Sequence, residues 1–130
     1  MKLTLFTENS IKVLAYFVNS QHKTVITVKE VADYLLLSYD HLKKIFWNLD
    51  KKGYLDSIRG RNGGYQFNHN PNRIKLGTLV VELENLNVLS NKFIGNCELK
   101  KSIKFALDCF IKRLDQYTLD DLISENQKIS

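Results

Sequence analysis

Two short segments of the chain carry side chains whose types and spacing could bind a polyanion. The first is a run of basic and hydrogen-bonding residues from Ser38 to Lys44, and the second is the glycine-rich segment Arg59–Gly64. Residues 38–75 contain eight lysines or arginines and three aspartates, which equals the net charge of +5 of the whole chain. A basic centre between neutral flanks is typical of a polyanion-binding element, although a solvated surface can have the same composition.

The elements that would position the first segment are two short helices joined by a tight turn. The segment Thr27–Glu30 has the capping-box pattern and predicts a helix that runs to about Leu35. Ser38 is the predicted N-cap of a second helix, and Gly53 is its natural stop. The predicted inner stripe of this second helix is Leu42, Ile45, Phe46 and Leu49. The order predicts a helix-turn-helix with a basic outer surface on its second helix.

A β-hairpin is predicted to hold the second segment. Residues 54–59 alternate in polarity, residues 65–68 form the return strand, and the glycines between them favour a turn. These glycines let the backbone approach a ligand closely, and the flanking arginines could enter a narrow minor groove. Together with a first helix from about Thr7, its expected N-cap, to Ser20, the order is that of a winged helix.

The candidate DNA-contacting residues follow from this arrangement, because a recognition helix presents its N-terminal residues to the major groove. They are Ser38, Tyr39, Asp40, His41, Lys43, Lys44, Arg59, Arg61, Asn62 and Gly63. The two lysines could neutralise phosphates, whereas residues 38–41 could hydrogen-bond to bases or backbone. For any single helix residue, a solvated surface position is an equally good interpretation. Trp47 lies on or beside the same outer face, unless it is tucked against the domain.

The C-terminal part predicts a dimer interface. Residues 76–86 are expected to be helical, residues 87–96 irregular, and a long helix is expected from Cys97 to about Gln116. Its apolar stripe is longer than one small core needs, so we expect a homodimer, with intramolecular packing as the alternative. The stripe is Ile103, Leu107, Phe110, Ile111 and Leu114.

The expected fold class is therefore mainly α with a small β-hairpin. A winged helix-turn-helix domain occupies residues 1–76, and residues 77–130 hold a linker, a sensor-like loop and the dimerisation helix. The segment Thr118–Asp121 has a cap pattern that predicts a final short helix.

Along nearly its whole length the chain resembles the Rrf2-type bacterial transcriptional regulators. The resemblance is carried by the helix pattern Ser38-x-x-His41-Leu42-x-Lys44-Ile45 and, most specifically, by the segment Arg59-Gly60-Arg61-Asn62-Gly63-Gly64-Tyr65. It implies a winged-helix homodimer that binds a near-palindromic operator in double-stranded DNA. The family includes iron–sulfur, nitric-oxide and cysteine-metabolism regulators, so the resemblance implies a repressor that responds to redox or nitrosative stress.

The same resemblance locates a candidate sensor. Many relatives hold an iron–sulfur cluster through three closely spaced cysteines, and Cys97 resembles the third of them, while Glu8 matches an acidic ligand position. The other two cysteines are missing, and Cys109 falls inside the long helix, where a packed small side chain is expected. Clusters usually take four ligands, mostly cysteine, so we expect no cofactor and no metal. Cys97 is then a redox thiol or inert, and an iron–sulfur regulator with atypical ligands is the alternative.

Other function classes have less support in the sequence. A winged helix could also serve as an RNA-binding or protein-interaction module. No nucleophile–base pair, metal motif or phosphate-cradling loop is found, so we do not expect an enzyme. No apolar run approaches the roughly 20 residues that span a bilayer, and the N-terminus lacks a signal-peptide pattern. We therefore expect a cytoplasmic protein without a membrane partner.

Overall fold

The computed structural model describes residues 2–84, 86 and 97–122. Over these ranges the chain forms α1 (Leu5–Asn19), α2 (Val28–Leu35), α3 (Tyr39–Lys51), β1 (Asp56–Ile58), β2 (Gly64–Gln66), a 3₁₀ turn (Pro71–Arg73), α4 (Leu76–Leu83) and α5 (Cys97–Leu114). Residues 119–122 add the start of the short final helix that the sequence predicts. The mainly helical fold class with a small hairpin is confirmed, whereas the irregular segment 87–96 lies outside the described residues. None of the described helices is both long and apolar enough to cross a bilayer.

The N-cap of α1 is Thr4, so the expectation that Thr7 caps this helix is wrong. The Thr4 hydroxyl oxygen accepts a hydrogen bond from the backbone N–H of Thr7 at 3.3 Å. Thr7 is fully buried, and its own hydroxyl donates to the carbonyl of Leu83 at 3.1 Å. Two threonines three residues apart give the same local capping signal, and the contact with the end of α4 decides between them.

The helix-turn-helix forms as the capping patterns predict. The Thr27 hydroxyl accepts from the N–H of Glu30 at 3.2 Å, and the Glu30 carboxylate accepts from the N–H of Thr27 at 3.3 Å. The chain turns at Leu36, whose φ of 58° is uncommon for a bulky residue. The Ser38 hydroxyl then caps α3 by accepting from the N–H of His41 at 3.2 Å. Both helix starts are thus fixed by their own local sequence.

The hydrophobic core lies between α1, α2 and α3 and extends beneath the hairpin and α4. All four residues of the predicted inner stripe of α3 are fully buried, namely Leu42, Ile45, Phe46 and Leu49. Burial of each such side chain contributes about 1.5–3 kcal/mol, so this stripe fixes how α3 is rotated about its axis. Leu76, Leu79 and Leu119 join the same cluster from the C-terminal part, and the division at residue 76 stays a prediction.

The hairpin is attached to this core by a short extra backbone pairing. In the antiparallel register Ser57 faces Tyr65 and Ile58 faces Gly64. Tyr65 also exchanges two backbone hydrogen bonds with Ile26, at 2.8 and 2.9 Å. A Cβ atom at Gly64 would lie 2.7 Å from the carbonyl oxygen of Ile26, so only glycine allows this close approach.

Helix α5 packs on α4 through a glycine and a capping carboxylate. A Cβ atom at Gly77 would lie 2.3 Å from the carbonyl oxygen of Ile111. Lys75, at the N-cap of α4, makes no side-chain cap, and Asp115 takes that role by accepting from the N–H of Thr78 at 2.8 Å. The segment that follows α5 thereby provides a hydrogen-bond acceptor for a backbone N–H in the first turn of α4, which has no partner within the helix.

We predict that Asp115→Ala lowers the free energy of unfolding by about 1 kcal/mol, because it leaves the first turn of α4 uncapped. Urea or thermal denaturation measures the loss. Asp108→Ala, which removes an exposed carboxylate from α5, is the matched control and should be near neutral. Equal stabilities for the two variants would show that Asp115 does not cap α4.

Candidate nucleic-acid interface

The outer face of α3 is a stripe of exposed side chains opposite the buried one. Asp40, Lys44, Trp47 and Lys51 follow one another at helical spacing, and all four are exposed. Tyr39 and Lys43 lie beside the stripe, with the Lys43 ammonium 5.5 Å from the centroid of the Tyr39 ring. The predicted basic surface on the second helix is thus open to a large ligand.

The side chains of Ser38 and His41 both make hydrogen-bond contacts within the chain, although Ser38 is exposed. The Ser38 hydroxyl caps α3, so its first role is to fix the helix start. The His41 ring is half-buried and turned toward α1, where its Nε2 lies 3.0 Å from the amide nitrogen of Asn9. Its ring also meets Phe6 edge to face, with 6.2 Å between centroids. The structure thereby places His41 at the contact between α1 and α3, and a DNA contact by His41 stays a prediction.

The loop between β1 and β2, residues Arg59–Gly63, forms with these two strands what we call the wing. Arg59, Arg61 and Asn62 are exposed along it. Gly60 adopts a φ of +114°, and a Cβ atom at Gly63 would lie 2.2 Å from the carbonyl oxygen of Ile58. The glycine spacing is therefore required by the turn itself, and the turn leaves both arginine side chains free to project.

The base of the wing is packed directly against α3. The Tyr65 ring meets Phe46 at 5.0 Å between centroids in an edge-to-face arrangement. Burial raises the pKa of the Tyr65 hydroxyl, and the nearby Asp50 and Tyr39 add to the effect. Because Phe46 belongs to the inner stripe, the wing and α3 share one rigid support.

The predicted dimer stripe on α5 divides into two faces. Leu114 packs against the core, and Ile103, Leu107 and Ile111 are half-buried. Phe110 is 38% exposed and Phe105 is 71% exposed, so apolar surface is also presented outward. Cys109 is exposed between them, and the expectation that it is packed is wrong for a single chain. The reason is periodicity, since Cys109 lies on the side of the helix away from Leu107 and Ile111.

The sensor candidates do not form a ligand set within the described residues. Glu8 is exposed in the first turn of α1, and Cys97 begins α5, with its side chain outside the described part. No group of three or more His, Cys, Asp or Glu side chains that could hold a metal ion occurs among the described residues. In the sequence, residues 85–96 contain none of these four residue types. One thiolate and one carboxylate do not fit a cluster that usually needs four ligands, mostly cysteine.

Comparison with known proteins agrees with this geometry. A family model described as Rrf2, iron-dependent transcriptional regulator, matches residues 3–125. The helix-turn-helix-type transcriptional regulator NsrR of Bacillus licheniformis is 34% identical to this chain over an alignment of 138 positions. The alignment covers 99% of this chain and 96% of that protein.

Two solved structures share the fold. IscR of T. potens superposes with a TM-score of 0.79 at 22% identity and covers 100% of this chain and 91% of its own. CymR, the global cysteine regulator of B. subtilis, superposes with a TM-score of 0.74 at 24% identity, over 96% of this chain and 98% of its own.

We predict that Asn9 and His41 are energetically coupled, because Asn9 is only 2% exposed and its amide contacts the imidazole. In a double-mutant cycle of Asn9→Ala and His41→Ala, the coupling in unfolding free energy should be about 1 kcal/mol. The control cycle pairs Asn9→Ala with Lys43→Ala, which should be additive. Additivity in both cycles would show that the contact between Asn9 and His41 does not stabilise the packing of α3 on α1.

Proposed function

The chain belongs to the Rrf2 family of transcriptional regulators, and from this premise we propose that it is a cytoplasmic repressor that binds a near-palindromic operator as a homodimer. The observation that carries the proposal is that the exposed stripe of α3 and the exposed wing arginines share one support, the Phe46–Tyr65 contact. A helix in the major groove and an arginine in the adjacent minor groove can then engage one duplex together.

Each part of this surface is assigned a different task. Lys43 and Lys44 neutralise phosphates and set the register, which carries no sequence information. Contacts with base edges are assigned to Tyr39 and Asp40, which are exposed in the first turn of α3, and to the exposed part of Ser38. At the wing, Arg59 and Arg61 enter the minor groove. Asn62 and Gly63, in the same loop, bring the backbone close to the DNA.

The outward surface of α5 is proposed as the dimer interface. Phe110 exposes aromatic surface beside the half-buried Leu107 and Ile111, and Phe105 exposes a second ring about 140° around the same helix. A two-fold symmetric pairing of α5 with a second copy would cover this surface. The dimer would then present one α3 helix from each subunit to each of two half-sites. This symmetry is the reason to expect a near-palindromic operator.

We further propose that the regulator works without an iron–sulfur cluster and responds to redox or nitrosative stress through Cys97. The family description refers to iron, but the donor set of this chain does not fit a cluster. Cys97 begins α5, and the thiolate form of a cysteine is the form that oxidants attack. Glu8 lies in the first turn of α1, and it is the carboxylate that an atypical cluster would recruit. A cluster with such atypical ligands is the alternative hypothesis, and iron analysis distinguishes it from a cluster-free regulator.

The wing variants test DNA recognition. Arg59→Ala and Arg61→Ala should each weaken operator binding by about tenfold while leaving the melting temperature unchanged, because both side chains are exposed. Lys44→Ala should weaken specific and non-specific binding alike, as a lost phosphate contact does. Lys12→Ala removes an exposed cation from α1 and is the matched control. Wild-type affinity in both wing variants would contradict the proposed role of the wing.

The dimer interface is tested by charge insertion. Phe110→Asp should give a monomer in sedimentation at micromolar concentration and reduce operator affinity, because a buried unpaired carboxylate costs several kcal/mol. Lys104→Asp places the same group at an exposed position of the same helix and should remain dimeric. A dimer that tolerates Phe110→Asp would require a different interface.

The cluster-free mechanism is tested by metal analysis and by a cysteine pair. Protein reconstituted anaerobically should bind DNA without stoichiometric iron or visible charge-transfer bands. Cys97→Ser should keep DNA affinity and lose the response to peroxide, whereas Cys109→Ser, the control, should keep both. About two irons per subunit, with absorption bands lost in Cys97→Ser, would instead establish a cluster with atypical ligands.

A further inference from the structure

We propose that Trp47 contacts thymine methyl groups in the major groove, so that operator choice depends on an apolar contact as well as on hydrogen bonds. The inference rests on the proposed DNA-binding function and adds a specificity determinant to it. Among the proposed DNA-contacting positions, Tyr39 alone exposes an aromatic ring, and the Lys43 ammonium lies 5.5 Å from the centroid of that ring.

Trp47 lies on the outward stripe of α3, directly opposite the buried side chains. Its side chain is 61% exposed, although tryptophan is a residue that folding normally buries. It follows Asp40 by seven residues, which places it about 10 Å further along the helix axis on the same face. The major groove admits an α-helix, and a helix that lies along the groove brings a residue two turns from its start to base edges.

The surface beside Trp47 is an open, largely apolar groove. It has a volume of about 510 Å³ and is lined by Phe6, Lys43, Lys44, Trp47 and Asn48. The lysines contribute their aliphatic stems to such a surface and keep their ammonium groups at the rim. The thymine C5-methyl group is the apolar feature that a base pair presents in the major groove, which makes it the matching ligand.

The charge around the groove favours DNA over an apolar protein partner. Lys43 and Lys44 line the groove together with the indole, and the Lys51 ammonium lies 4.9 Å from the centroid of the Trp47 ring. The three cations complement the phosphates of the two DNA strands, and the apolar surface between them complements a thymine methyl group. A protein segment that filled the groove would have to leave these charges without partners or supply several carboxylates.

The experiment begins by selecting operators from a random duplex pool with the wild-type protein and with Trp47→Ala. The wild type should select thymine at one symmetric pair of positions, and Trp47→Ala should lose that preference. Each selected thymine is then replaced by deoxyuridine, which removes only the methyl group. Wild-type affinity should fall about fourfold per methyl, the equivalent of about 0.8 kcal/mol, and the affinity of Trp47→Ala should not change.

Two further variants separate this role from others. Lys51→Ala should bind both duplexes more weakly and keep the full effect of deoxyuridine, since a phosphate contact does not depend on the base. Trp47→Phe should retain part of the methyl effect, because it keeps an apolar ring and lacks the indole N–H. Melting temperatures and sedimentation of all variants should match the wild type.

Three results would overturn the inference. One is an equal deoxyuridine effect in the wild type and in Trp47→Ala, and another is a wild-type operator without any effect of methyl removal. Either would leave the proposed DNA-binding function intact. A monomeric Trp47→Ala would instead assign the groove to a second copy of this chain. Failure of the wild type to bind any duplex is a separate result, since it would remove the proposed function together with this inference.

Discussion

The burial of one face of α3 is the constraint on which the recognition surface depends. Because Leu42, Ile45, Phe46 and Leu49 are fully buried, the helix cannot rotate about its axis without exposing apolar area. The positions opposite them, including Lys44 and Trp47, are therefore directed outward. The Tyr65 ring packs on Phe46, so the same burial also fixes the base of the wing. A single packing arrangement thus sets the relation between α3 and the wing, the two parts of the proposed DNA-binding surface.

The C-terminal elements are joined to this unit by polar contacts at helix ends. Asp115 caps α4 from the end of α5, and the close approach at Gly77 lets the two helices pack tightly. At the other end of α4, the Glu84 carboxylate accepts from the backbone N–H of Thr4 at 2.8 Å, and Thr7 donates to the carbonyl of Leu83. The start of α1 therefore packs on the end of α4, and Asn9 in α1 contacts His41 in α3.

The parts of the fold that could be predicted from the sequence are those with a local cause. The capping box at Thr27, the Ser38 cap and the glycine spacing of the wing each act within a few residues, and each forms as expected. The choice between Thr4 and Thr7 has no local signal, because it depends on the end of α4, which is distant in sequence. Cys109 is exposed in the single chain despite its apolar neighbours, because its position on the helix lies away from Leu107 and Ile111.

Other features became visible only in three dimensions. Asn9 is a polar residue four positions before Val13, on the buried face of α1, and that periodicity was the available clue. His41 is an obvious polar candidate by type, yet its ring is turned toward α1, since its position on α3 lies beside the outward stripe. The sequence placed Trp47 near the outer face, but only its exposure in the structure distinguishes a surface aromatic from a packed one.

The salt dependence of duplex binding tests the central claim most directly. If the outer face of α3 and the wing neutralise phosphates, the logarithm of the affinity falls linearly with the logarithm of salt concentration, by about 0.9 for each phosphate contacted. The account predicts a negative slope of several units for a dimer, and a smaller slope for Lys44→Ala. An affinity that does not change with salt would contradict the assignment of this surface to DNA.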